Sequence, residues 1–218
     1  MKTVVCYGDS NTWGFIPKVE IIEWSNNRFA FDTRWTGVMQ RKLGADFRVE
    51  EEGLNGRTTM FDDPLDERRN GLSYVDVCML SKMPVDLVVI MLGTNDVKEH
   101  LAKTAYCIAK GVGRIIERIQ KGGYGPFGAA PEILVVAPAH LDERIADAWP
   151  GAEFGAGCLK KDAQLGALYA KISKESGTHF LNAARFITVS PDDCVHLSAD
   201  AHAVLGEHIA EKVRHILG

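Results

Sequence analysis

Leu87-Val88-Val89-Ile90-Met91-Leu92 runs without a polar side chain and halts at Gly93-Thr94-Asn95-Asp96. Side chains alternate between the faces of a strand, so a strand apolar on both faces must be covered on both. That is the condition of a central strand in a parallel sheet with helices on either side. Working outward from this segment, Asp86–Leu92, four more short apolar segments occur at Thr3–Tyr7, Phe47–Glu51, Ile133–Ala137 and His179–Ala183, each followed by a turn signal. Between them lie stretches with helical spacing. Ile108, Val112, Ile115, Ile116 and Ile119 share one face, as do Leu165, Leu168, Tyr169 and Ile172, and Leu205, Ile209, Val213 and Ile216. Strands alternating with helices imply parallel pairing through right-handed crossovers. The expected fold is α/β: a three-layer α/β/α sandwich on a five-stranded parallel sheet, with the flavodoxin-like order 2-1-3-4-5 as the common solution for five strands.

The chain has 218 residues, about one and a half typical domain lengths, and no repeat or linker-like shift in composition, so residues 1–218 are read as one domain. Hydrophobic residues at 46% and charged residues at 25% are enough for a sizeable core and exclude a disordered or fibrous chain. A net charge of -4 offers no attraction to phosphate backbones or anionic lipid, so neither nucleic acid nor membrane is expected as a partner. The longest apolar run falls far short of the roughly 20 residues that span a bilayer. The amino terminus, Met1 to Asp9, reads as a first strand and lacks the h-region of a secretory signal. The five cysteines are widely spaced with no C-x-x-C pair, which points away from disulfides and thiolate metal sites and toward a reducing cytoplasm. Two segments break the alternation, Phe15–Asp32 with Trp24, Phe29 and Phe31, and Lys121–Cys158 with two Gly/Pro-rich stretches; both read as long loops, with functional rims or contact surfaces and mobile surface connectors as equal alternatives.

In open α/β sheets the site lies beyond the carboxyl ends of the strands, so the residues just after each strand carry the chemistry. After the first strand comes Gly8-Asp9-Ser10-Asn11-Thr12-Trp13-Gly14, which places a serine on a strand-to-helix turn, a position suited to a nucleophile. A plain helix cap by Asp9 or Ser10 has the same appearance. After the second strand, the glycines of Gly53-Leu54-Asn55-Gly56 allow a backbone N–H of Gly56 to approach a substrate oxyanion. After the third, Asn95 offers a side-chain N–H over the same edge, although Asn95-Asp96 is also an ordinary turn peptide. After the fifth, Asp193 lies three residues before His196, a spacing that lets a carboxylate reach Nδ1 and leaves Nε2 as a base; Asp192 is a second candidate orienter. The remaining histidines, His100, His140, His179, His202, His208 and His215, read as surface residues. Trp13 and Phe15 are candidates for the wall of a small acyl pocket, with inward packing the competing reading for Trp13.

These blocks together resemble the SGNH (GDSL-type) hydrolases. Gly8–Gly14, Arg34-Trp35-Thr36-Gly37, Glu51–Thr59 and Met91–Asp96 are most like the bacterial arylesterase/acyltransferase branch, with Asn11 in place of the namesake leucine. The resemblance implies Ser10 as nucleophile, His196 as general base, Asp193 as its orienter, and an oxyanion hole from the Ser10 N–H, the Gly56 N–H and Asn95. It further implies hydrolysis of small acetyl-type esters through an acyl-serine, acyl transfer to alcohols or hydrogen peroxide, and a homo-oligomer. No metal or other cofactor is called for. Two rivals stay open at this level. One is a metal-dependent hydrolase using Asp9, Asp96, Asp193 and His196 as ligands. The other is a flavodoxin-like binding domain without catalysis.

Overall fold

All five apolar segments are strands in a computed structural model of the chain, which describes residues 1–18 and 27–218. β1 (Lys2–Gly8), β2 (Phe47–Gly53), β3 (Leu87–Met91), β4 (Glu132–Ala137) and β5 (His179–Asn182) pair in parallel in the order β2-β1-β3-β4-β5. Their ends differ from the apolar runs by a residue or two, because ladder pairing, such as Gly8 with Gly53 and Met91, outlasts the apolar run. Helices α1 (Ser10–Trp13), α2 (Trp35–Leu43), α3 (Gly71–Lys82), α4 (Ala105–Lys121), α5 (Gly151–Phe154), α6 (Cys158–Ser176) and α7 (Ala199–Leu217) complete the chain. Alternation sorts the core into two halves. Val5, Tyr7, Val88, Ile90 and Val135 face α3, α4 and α6, while Val4, Cys6, Val89, Met91 and Val136 face α2 and α7. The isoleucine face expected on the fourth helix is wholly buried, and side chains of Thr104 and Ser198 cap α4 and α7.

Three helices, α2, α3 and the single-turn α5, have no counterpart in the sequence reading. α2 is only nine residues long, and α3 is apolar around most of its circumference, with Val75, Cys78 and Met79 buried but Tyr74, Val77 and Leu80 exposed. A helix apolar on several sides shows no stripe to read. The stretch Lys121–Cys158 is more ordered than two loops flanking a strand. Around β4 it forms 3-10 turns over Pro126–Gly128 and Glu143–Asp147, then α5. Of the expected loop Phe15–Asp32, residues 19–26, Trp24 among them, lie outside the described residues. Phe15 and Arg28 pair as an antiparallel bridge across it.

Two features fix the carboxyl edge of the sheet. A Cβ on Gly53 would sit 2.1 Å from the backbone N of Trp13 and 2.5 Å from its Cα, so the last residue of β2 must be glycine for α1 to lie against it. Asp96, fully buried after β3, accepts from the Thr59 N–H at 2.9 Å and the Thr59 hydroxyl at 2.6 Å, tying the turn after β3 to the segment after β2. Burial pushes the Asp96 carboxyl up to about 7, against the Thr59 hydrogen bonds and with the Asp9 charge adding to the rise.

Gly53→Ala is expected to lower stability by about 1–3 kcal/mol, measured by urea unfolding, because backbone rather than a flexible side chain must yield. The Asp96 shift predicts a pH dependence. The folded chain keeps this proton to about 7 while the unfolded chain loses it near the ordinary carboxyl value of 3.8. The native state therefore binds more protons between those limits, and the contribution is whole below the lower limit and lost as pH rises through the window. Asp96→Asn, which cannot ionise, should flatten the fall in unfolding midpoint across that range; an unchanged slope would contradict this.

Candidate active site

β1 delivers the chain to Asp9, whose Oδ1 accepts from the Asn11 N–H at 3.0 Å and so caps α1. Asp9 does the capping, which leaves the Ser10 hydroxyl available. Ser10 Oγ lies 2.9 Å from His196 Nε2, and His196 Nδ1 lies 2.7 Å from Asp193 Oδ2. Asp193 Oδ1 accepts from the backbone N–H groups of Val195 and His196 at 3.0 and 2.9 Å. Asp192 is exposed on the surface, so of the two carboxylates Asp193 is the one that meets the ring. Burial alone would push the Asp193 carboxyl up, but the hydrogen bonds and charge of His196 and the two backbone N–H groups outweigh it and hold it below its ordinary value. An ionised carboxylate only accepts, so Nδ1 carries the ring proton and the Nε2 lone pair faces Ser10.

Gly56 adopts φ +76°, the left-handed conformation that glycine takes at little cost. Asn95 stands in a 3-10 turn and donates one Nδ2 hydrogen to the Arg57 carbonyl at 3.1 Å, which aims the amide and leaves its second hydrogen. Neither the Ser10 N–H nor the Gly56 N–H meets an acceptor among the described residues. Ser10, Gly56, Asn95 and His196 all line one cleft of about 550 Å³.

Two kinds of wall enclose that cleft. Phe15 is buried with its ring centroid 4.2 Å from that of His196, and Trp149, Pro150 and Phe154 continue the apolar side. The opposite character comes from two ion pairs, Arg69 with Asp66 at 2.7 Å and Lys98 with Glu153 at 2.6 Å, and from a hydrogen bond between Asp63 and His100 at 2.9 Å. The second Gly/Pro-rich stretch of Lys121–Cys158 thus forms part of the cleft. Trp13 does not line it. The Arg28 guanidinium lies 5.0 Å from the Trp13 ring centroid and donates to the Trp13 carbonyl, which leaves this side chain half-buried, neither pocket wall nor core.

Several residues that support the site were not singled out by sequence. Arg57, 3% exposed, donates to the carbonyl of Gly8 at 2.9 Å and to that of Glu52, and stacks 4.3 Å from the Tyr7 ring centroid. It joins the ends of β1 and β2 directly beneath the serine turn. Arg34 makes a two-pronged pair with Glu51 at 2.8 and 2.6 Å, and Thr36 donates to the same carboxylate. This gives the Arg34–Gly37 block a structural purpose. His202 is a correction to the surface reading of the lesser histidines: it is fully buried, and its Nδ1 accepts the Trp35 N–H at 3.2 Å. Burial, with the charges of His196 and Arg34, pushes its pKa down to about 3, so the ring stays neutral. Its spacing three and seven residues before Leu205 and Ile209, on the apolar stripe of the same helix, was the available signal. As for metal ligation by Asp9, Asp96, Asp193 and His196, the oxygens of Asp96 and Asp193 are engaged by Thr59 and the His196 loop, and no group of three or more potential ligands clusters among the described residues.

Known proteins share the family pattern and the fold of this chain. The model of the GDSL-like lipase/acylhydrolase family matches residues 6–204. The native aryl esterase of M. smegmatis is 37% identical over the whole of both chains, with a TM-score of 0.91. Est24, a carbohydrate acetylesterase from Sinorhizobium meliloti, is 39% identical over the whole of both chains, with a TM-score of 0.90. A lipase/acylhydrolase from Enterococcus faecalis, 18% identical over 99% of this chain and 96% of that one with a TM-score of 0.70, shares the fold. No curated protein matches the chain. With the family pattern spanning nearly its whole length, the chain belongs to the GDSL-like lipase/acylhydrolase family.

Proposed function

We propose that the protein hydrolyses short-chain carboxylic esters, with Ser10 as nucleophile, His196 as general base and Asp193 as its orienter. The observation that carries this reading is the continuous chain Ser10 Oγ to His196 Nε2 at 2.9 Å and His196 Nδ1 to Asp193 Oδ2 at 2.7 Å, opening on a cleft. Ester hydrolysis accords with membership of an acylhydrolase family and with likeness to an aryl esterase and a carbohydrate acetylesterase.

The steps follow from the donors and acceptors. His196 Nε2 takes the Ser10 proton as Oγ attacks the ester carbonyl carbon, and Asp193 stabilises the imidazolium. The carbonyl oxygen, now negative, meets the Ser10 N–H, the Gly56 N–H and the second Asn95 Nδ2 hydrogen. Collapse expels the alcohol with the proton from His196, leaving an acyl-serine. Water, deprotonated by His196, then adds to the acyl carbon, and Ser10 leaves with that proton. An alcohol or hydrogen peroxide in the place of that water would yield a new ester or a peracid.

Phe15 and Phe154 in the lining suit a small acyl group, and the paired polar side chains that also line the cleft suit a hydroxylated alcohol. Assembly into a homo-oligomer is supported by exposed apolar side chains on and after α3: Tyr74, Val77, Leu80 and Met83. All five cysteines are free thiols, as a reducing cytoplasm favours.

Ser10→Ala and His196→Ala should each lower kcat on an aryl acetate by roughly 10³-fold or more, and Asn95→Ala by about 10²–10³ with little change in KM. A rate near that of the unaltered chain in any of these would remove that residue from the mechanism.

A further inference from the structure

Asn11, beside the serine, is 5% exposed and reaches across to a segment 186 residues away. Its Oδ1 accepts from the Leu197 N–H at 3.0 Å, and its Nδ2 donates to the Val195 carbonyl at 3.3 Å. Those two backbone groups stand immediately before and after His196. The backbone of His196 itself is gripped from within its own loop. Its N–H donates to Asp193 Oδ1 at 2.9 Å, and its carbonyl accepts from the Ser190 N–H at 2.7 Å. Cys194 turns the loop with φ +65°, a left-handed conformation that a non-glycine residue holds only when its surroundings impose it. Its carbonyl is in turn bonded by the Asp142 N–H at 3.1 Å.

The loop bearing the imidazole is therefore internally stiff, and Asn11 fastens it to the turn bearing the hydroxyl. We infer that Asn11 is a positioning residue: its amide sets the separation of Ser10 Oγ and His196 Nε2 independently of the bond between them. This rests on the reading of Ser10 and His196 as nucleophile and base. Only a side chain with a donor and an acceptor on one short stem serves both contacts. Leucine at this place would leave the Leu197 N–H and the Val195 carbonyl without partners in a buried setting. A displacement of about 1 Å between reacting groups can cost on the order of 10²-fold in rate.

The test compares Asn11→Leu, Asn11→Ala and Ser10→Ala with the unaltered chain, measuring kcat and KM on an aryl acetate together with the thermal unfolding midpoint. Both Asn11 variants should remain folded at the assay temperature, with kcat lowered about 10- to 100-fold and KM within about twofold. A lower unfolding midpoint with unchanged kcat would overturn the inference, as would a shift carried by KM alone. Loss of the fold in both Asn11 variants would also overturn it, since the residue would then serve the structure at large. An inactive Ser10→Ala beside Asn11 variants of undiminished kcat refutes only the positioning role. A Ser10→Ala variant that still turns over refutes the nucleophile reading beneath it.

Discussion

The hydrogen bond between Ser10 Oγ and His196 Nε2 joins two residues 186 positions apart, and the architecture is what makes so distant a pairing local. β1 lies between β2 and β3, so the carboxyl ends of these three strands are neighbours, and the turns that follow them carry Ser10, Gly56 and Asn95 to one edge. His196 has a longer route. It belongs to a segment that follows β5, at the far side of the sheet, and must return across the strand ends before α7 begins. Contacts from Asn11 to residues 195 and 197, and from Asp142 to Cys194, hold that returning segment over the serine.

Holding a reactive hydroxyl beside a base at this edge requires polar groups in places where burial penalises them. Asp9 and Asp96 are almost wholly enclosed, and burial pushes their carboxyls up to about 6 and about 7. Neither is paired with a basic side chain by a hydrogen bond; each instead fastens a backbone turn, Asp9 through the Asn11 N–H and Asp96 through Thr59. Asp193 behaves oppositely, because three N–H donors converge on it and keep it ionised against burial. Two carboxyls thus serve as fasteners and a third as an electrostatic support, set apart by the hydrogen bond and charge of His196.

What was legible in the sequence follows the range of the interactions involved. Residues 87–92 reveal a doubly covered strand because strand periodicity is local, and Asp193 reveals its histidine because it stands only three positions before it. The isoleucine stripe of α4 is legible for the same reason. α3 escapes because Tyr74, Val77 and Leu80 blur its inward face. The bond from the Trp35 N–H to His202 depends on α2 packing against α7, and the task of Asn11 depends on a loop at the other end of the chain. Neither could be read from neighbours in sequence. Trp13 shows the same limit, since an arginine fifteen residues on decides its surroundings.

The central claim is that the hydroxyl of Ser10 is the group that attacks. Treating the folded protein with an organophosphonate ester and mapping the adduct by peptide mass tests it most directly. A single phosphonyl group is expected on the peptide containing Ser10, appearing in step with the loss of esterase activity and absent after prior unfolding. Inactivation with the adduct on another residue, or undiminished turnover by protein fully modified at Ser10, would contradict it.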